Sequence, residues 1–271
     1  MNKFTTAAAV IIVCIALVIF FLPAKDSIKI FSKVLDEKRT ILVHLPEGYD
    51  SSDRHYPVLY HLDGGNTSIA SWQKPYYTQA VETLEELQGS HVPEMILIGI
   101  ANTDRARDML PVKSDLYLSG GGADKFLGFI VRELIPFVDR NYRTSKTRIL
   151  YGMSDSGLFA VYAFLEQPEV FSGYIVSSPS LNLCPKYIFK KTENLLAREK
   201  QLNNRLFFIY GEREMLKITR YVPLFAEKLR AAQQKNLQLW VKAVRGEGHI
   251  PLSSLYDGLN FVFAEMNEEG L

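Results

Sequence analysis

The chain has 271 residues, 47% of them hydrophobic and 23% charged, a composition suited to one sizeable globular core. Its 31 lysines and arginines stand against 30 aspartates and glutamates, for a formal net charge of +1. That balance gives no electrostatic footprint for nucleic acid or for an anionic membrane surface, so the expected partner is a small molecule.

Residues 1–24 differ from the rest. Met1-Asn2-Lys3 precedes an almost unbroken apolar run from Ala7 to Leu22, closed by Pro23-Ala24-Lys25-Asp26. A positive start and an apolar run of this length read as an export signal or, if uncleaved, as an N-terminal membrane anchor. Residues 25–271 are then expected outside the cytoplasm: periplasmic, secreted or anchored. Any membrane contact is expected only through an uncleaved residue 1–24 segment. Cys14 lies inside the apolar run, which leaves Cys184 as the single thiol of the folded part and no internal disulfide.

Residues 27–34 and 39–45 alternate apolar and polar side chains with period 2, as a strand pair near a sheet edge would. Residues 56–62 form a third strand, ending in Asp63-Gly64-Gly65-Asn66. A helix is expected over 71–88, a strand over 95–100, and then a polar run, 101–111. After Gly120-Gly121-Gly122 comes a long helix, 124–141, with Phe126, Phe129, Ile130, Leu134, Phe137 and Val138 at helical spacing. A short strand, 149–151, meets a sharp turn, 152–156, and an apolar helix, 157–164. Strands follow at 171–177, 205–210 and 237–244, with helices at 190–201 (charged and solvated), 220–233 and 252–267. Strands alternating with helices over one stretch without repeats predict a single α/β domain. Its eight-stranded sheet is mostly parallel, with helices on both faces and an antiparallel edge.

The turn at 152–156 carries the first chemical signal. Strand, tight turn with a central serine, then helix is the setting of a nucleophile elbow, with Ser154 lifted above the sheet edge. Gly152 and Ser156 are small enough for strand and helix to approach closely, although the usual pattern has glycine where this chain has Ser156. A serine nucleophile needs a base, and the base needs an orienting acid. His44, His55, His61 and His91 lie in strands or polar connectors and read as structural. His249 follows the last strand in Arg245-Gly246-Glu247-Gly248-His249, a loop at the carboxyl ends of the strands. The acid should leave the preceding strand, where Glu214 stands three residues past Gly211, with Glu212 as the alternative. Backbone N–H groups of Gly65 and Asp155 are the candidate oxyanion hole. Asn66-Thr67-Ser68 matches a glycosylation acceptor, but its place beside the oxyanion loop makes it a poor one.

With these residues placed, the chain resembles the "Putative esterase" family of α/β-hydrolases over most of residues 38–264. Within it, the likeness is to the enterochelin or siderophore-esterase-like branch. The resemblance rests on Leu59-Tyr60-His61-Leu62-Asp63-Gly64, Asn102-Thr103-Asp104-Arg105-Ala106-Arg107-Asp108, Ser177-Ser178-Pro179-Ser180 and Gly248-His249. It implies an α/β-hydrolase fold and a Ser154, Glu214, His249 triad working through an acyl-enzyme without metal or organic cofactor. It implies also a small-molecule ester substrate, siderophore-type or another small polar ester. It places Arg105, Arg107 and Asp108 near the cleft, as contacts for a polar or anionic substrate or as an ion-pair cluster holding the loop. Asp155 departs from the pattern, since a carboxylate beside a developing oxyanion opposes catalysis unless its side chain turns away. Ser180-Leu181-Asn182-Leu183 lacks the aromatic residues often found in relatives after Ser-Pro-Ser. The same residues also fit an acyltransferase, or a membrane-tethered binding protein on a hydrolase scaffold.

Overall fold

The computed structural model describes residues 27–65, 74–198 and 201–264. The expected export segment, the Asn66-Thr67-Ser68 acceptor and the ends of the helices expected over 71–88 and 252–267 lie partly or wholly outside them. Eight strands form one sheet: β1 (Ser27–Ser32), β2 (Glu37–His44), β3 (Tyr56–Leu62), β4 (Ile96–Ile100), β5 (Thr144–Met153), β6 (Gly173–Ser177), β7 (Arg205–Gly211) and β8 (Gln238–Val244). Their order is β1-β2-β4-β3-β5-β6-β7-β8. β2 is antiparallel to both β1 and β4, and every pairing from β4 to β8 is parallel.

The strand residues sort into two cores by the alternation of a pleated strand. Val58, Tyr60, Leu62, Ile98, Leu150, Val176 and Phe208 face one layer. Leu59, Leu97, Ile149, Tyr151, Ile175 and Phe207 face the other. A parallel strand covered on both sides has no polar face, which is why β4 reads Ile-Leu-Ile-Gly-Ile and is buried throughout. Helices α1 (Tyr76–Glu86) and α8 (Ser254–Phe263) cover the second layer. The first is covered by α2 (Arg105–Met109), α3 (Ala123–Phe129), α4 (Ile135–Asn141), α5 (Asp155–Glu166), α6 (Pro185–Arg198) and α7 (Leu216–Ala231).

The chain leaves β3 toward β4 on one side and leaves β5 toward β6 on the other. The β3/β5 pair is therefore the switch point of an open parallel sheet, where a crevice forms at the carboxyl ends of the strands. Both Asp63-Gly64-Gly65 and Ser154 leave the sheet there.

Four elements differ from expectation, the first being α6, which starts at Pro185 rather than 190 and buries Ile188 and Leu195 in the core where a solvated helix was expected. β5 begins at Thr144 rather than 149, because its polar first half pairs only with the start of β3. Residues 105–109 are helical, opened by Asp104, whose side chain accepts from Arg107 N. The long helix expected over 124–141 contains a π turn at Ile130–Leu134, just before Pro136. Proline has no N–H to give the carbonyl four residues back, and the widened turn absorbs that missing bond.

Candidate active site

Ser154 stands alone between β5 and α5, with φ 58° and ψ −119°. A non-glycine residue holds this sparsely populated conformation only when its surroundings force it. Its N–H donates to Ser177 O at 2.9 Å, while its carbonyl accepts from Leu158 N at 3.0 Å and Ser180 N at 3.0 Å. The close approaches fall at Gly152 and Gly157. A Cβ on Gly152 would sit 2.3 Å from Ser156 O, and one on Gly157 would sit 3.2 Å from Pro179 Cα. The usual final glycine is thus not needed at position 156. Ser156 is buried, and its Oγ accepts from Met153 N at 2.9 Å and donates to Asp63 Oδ2 at 2.7 Å.

His249 and Glu214 meet across the ends of β7 and β8. His249 Nδ1 lies 2.8 Å from Glu214 Oε2. An ionised carboxylate only accepts, so this contact puts the ring proton on Nδ1 and leaves Nε2 as the basic nitrogen. The Glu214 side chain is 1% exposed and that of His249 is 34% exposed, a covered acid beneath an accessible base. Glu212, the alternative acid, is exposed and joins the end of β8 through its backbone N–H instead. Gly211 allows this packing, since a Cβ there would fall 2.2 Å from Glu247 O.

Ser178, which follows the Ser177 carbonyl that holds Ser154 N, ties β7 to the histidine loop. Its N–H donates to Ile209 O at 2.8 Å and its Oγ accepts from Ile250 N at 3.1 Å. Among the described residues Ser154 Oγ has Ser180 Oγ, 3.4 Å away, as its side-chain hydrogen-bond partner and makes no bond to His249.

The loop expected to carry one oxyanion donor follows β3. Asp63 has φ 57°, and the absence of a Cβ on Gly64 lets the loop lie against Gly99 and the carbonyl of His61. Gly65 packs beside Ala101. Asp155 is the first residue of α5, where a backbone N–H has no acceptor within the helix.

The three residues expected near the cleft are all engaged with other side chains. Arg105 Nε and Nη2 each donate at 2.8 Å to the two oxygens of Asp63, and its Nη1 donates to Asp155 Oδ2 at 2.6 Å. Tyr117 Oη donates to the same Asp155 oxygen at 2.8 Å. The Asp155 carboxylate therefore turns toward a cation and a phenol. Arg107 forks onto Glu37 and bonds Asp108, while Asp108 has no exposed side-chain surface and also pairs with buried Arg39. For Arg107 and Asp108 the geometry is that of the ion-pair cluster. Burial alone would raise the Asp63 carboxyl, but Arg105, Asn102 and Ser156 outweigh it and hold it below the usual carboxylate range. Burial, with the bond to Asp155, pushes the Tyr117 hydroxyl up to about 12.

The sequence reading placed no site role on Asp63, Asn102, Tyr117 or Ser156. Its one available signal was the position of Asp63 directly before the glycine pair. Among the described residues no group of three or more His, Cys, Asp or Glu side chains is arranged to hold a metal ion.

Residues 32–267 match the family model described as "Putative esterase". The ferri-bacillibactin esterase BesA of Bacillus subtilis is 30% identical over 218 residues, covering 72% of this chain and 74% of that protein. The siderophore enterobactin esterase of Emericella nidulans is 28% identical over 223 residues, 70% of each chain. The crystal structure of an IroE-like serine hydrolase from Shewanella oneidensis superposes with a TM-score of 0.77 at 29% identity, covering 88% of this chain and 79% of that one.

Proposed function

The chain belongs to the "Putative esterase" family and is a carboxylic ester hydrolase, and from that premise we propose a serine mechanism on Ser154, His249 and Glu214. In this reading Ser154 Oγ attacks the ester carbonyl and His249 Nε2 takes its proton. Glu214 orients the imidazole and stabilises its charged form. The N–H groups of Gly65 and Asp155 hold the oxyanion. The alcohol leaves with the proton from His249, and water, activated by the same nitrogen, resolves the acyl-enzyme. The observation that carries the reading is the 2.8 Å contact between His249 Nδ1 and the covered Glu214 carboxylate, beside a strained serine on the strand-to-helix turn.

The substrate in this proposal is a siderophore-type ester, supported by the names of the two curated relatives. Export or anchoring through residues 1–24 belongs to the same proposal. Among the described residues no helix is long and apolar enough to cross a membrane.

The test is hydrolysis of p-nitrophenyl acetate and of siderophore lactones by the full chain beside Ser154→Ala, together with fluorophosphonate labelling. Turnover and labelling of the parent, both absent from the variant, support the nucleophile. A parent that hydrolyses the acetate ester and leaves every siderophore lactone intact would remove the substrate assignment. Labelling that persists in the variant would remove Ser154.

A further inference from the structure

We infer that Asp63, Arg105, Asp155 and Ser156 form a clamp that fixes the distance between the two oxyanion donors, with Arg105 as its positioning residue. The inference rests on the serine reading above and goes beyond it, because none of these four side chains supplies a reacting atom.

The two proposed donors come from different strands. Gly65 N lies on the loop after β3, and Asp155 N lies on the turn after β5. An oxyanion hole works only if both N–H groups point at one oxygen, about 2.7–3.1 Å from each. Backbone pairing of β3 with β5 ends at His61 and Tyr151, so the ladder itself does not set the spacing of residues 65 and 155.

Side chains bridge that gap twice. Ser156 Oγ is bonded to Met153 N within the elbow and to Asp63 Oδ2 on the oxyanion loop. Arg105 then grips both Asp63 oxygens with one edge of its guanidinium and Asp155 with the remaining Nη1. Two parallel bonds fix the plane of the fork, which a point charge cannot do. Arg105 itself is held by α2, whose first turn is capped by Asp104. Three loops are thus locked around one guanidinium.

The arrangement also answers the charge that Asp155 brings to the elbow. A carboxylate next to an oxyanion donor would raise the energy of the tetrahedral intermediate. With Arg105 at 2.6 Å and Tyr117 Oη at 2.8 Å on the same oxygen, that charge is countered on the side chain's own face. Arg105 acts through Asp63 and Asp155, since each of its three nitrogens donates to one of these two carboxylates.

The experiment compares the full chain with Arg105→Ala, Arg105→Lys, Asp155→Asn and the Arg105→Ala/Asp155→Asn pair. Its readouts are kcat and KM on p-nitrophenyl acetate and affinity for a trifluoromethyl ketone, which forms a tetrahedral adduct with the serine. Misplacement by about 1 Å lowers rates about a hundredfold, so Arg105→Ala should lose about that much in kcat with KM within about threefold. Ketone affinity should fall in parallel. Arg105→Lys should not rescue. Asp155→Asn should recover about tenfold in the Arg105→Ala background, because there the carboxylate is uncompensated.

A loss confined to KM would overturn the clamp and return Arg105 to substrate contact. So would unchanged ketone affinity, or the absence of recovery in the pair. Should Arg105→Ala fail to fold by circular dichroism, Ser156→Ala serves instead. It keeps the Cβ, removes one bridge, and should lower kcat about tenfold at constant KM, whereas parental kcat would refute the clamp. Failure of the serine reading itself would appear earlier, as an inactive and unlabelled parent.

Discussion

His249 Nδ1 sits 2.8 Å from Glu214 Oε2, although 35 residues separate them, because Gly211 lets the Glu247-Gly248 backbone lie against the end of β7. Glu212, two residues nearer the strand, is exposed. Glu214→Gln should leave the fold intact while setting the wrong imidazole tautomer. A loss of about 10⁴-fold in kcat is the scale for that defect. Glu212→Gln should stay within about twofold in the same assay, a scale well inside the tenfold that 1.36 kcal/mol would give. Equal losses in the two variants would show that the acid has been misassigned.

Asp63 gives the protein a pH signature. Its carboxyl is held below the usual range, chiefly by the Arg105 fork acting against burial. A depressed folded value adds stability above the unfolded value, about pH 3.9, and that stability is lost as pH falls through the folded value. Asp63→Asn lacks this contribution. The stability gap between parent and variant should therefore be widest near neutrality and shrink as pH drops below about 4, read by urea unfolding at fixed temperature. A gap that stays constant down to pH 3 would show that the Arg105 pairing does not favour the ionised form.

Much of this was readable in the sequence, for local reasons. Apolar runs bounded by glycine, proline and polar residues located six strands, and period-2 alternation located β1 and β2. Ser154 and His249 stood out because each follows a strand and opens a helix or loop. Periodicity needs length, and α2, with five residues, offered too little of it. Its one readable mark was Asp104, whose cap on Arg107 N is a short-range signal. The polar half of β5 was lost for the same reason, since Thr144 to Arg148 carry no apolar alternation. Partner choice in the clamp was hidden for another reason. The bonds from Arg105 to Asp63 and Asp155 and from Ser156 to Asp63 span 42, 50 and 93 residues, and no local pattern encodes them. Arg105 and Asp155 could each be singled out, while their pairing could not.

The adjacent glycines of the loop after β3 should respond differently to the same substitution. A Cβ on Gly64 would lie 2.5 Å from His61 O and 2.6 Å from Gly99 Cα, both backbone atoms that cannot swing away. A Cβ on Gly65 would meet Ala101 Cβ at 3.2 Å, a contact that a small shift relieves. Gly64→Ala should cost about 1–3 kcal/mol by urea unfolding, the usual range for overpacking, and should displace the loop. Gly65→Ala should cost less and keep its N–H, hence most of its kcat. The reverse ranking in stability would contradict the packing described.

Arg39 and Asp108 form a pair with no exposed side-chain surface, beside the cluster that holds α2. The Arg39 guanidinium also lies 5.1 Å from the Phe126 ring centroid and 5.9 Å from that of Phe129. Asp108→Ala removes the covered partner of Arg39, leaving only Glu37 to pair with its guanidinium, and takes a carboxylate from Arg107 as well, so it should cost about 3–5 kcal/mol. Replacing both, as Arg39→Met/Asp108→Leu, removes the buried cation together with its covered partner, while Glu37 keeps Arg107, and should cost less than Asp108→Ala alone. The Lys74–Glu82 pair is also in direct contact, at 2.6 Å, but its side chains are 56% and 48% exposed. Water screens that contact and solvates either partner left alone, so Glu82→Ala should change stability by about 1 kcal/mol or less. Urea unfolding of the three variants decides the point. Equal costs for Asp108→Ala and Glu82→Ala would mean that water reaches Arg39 after all.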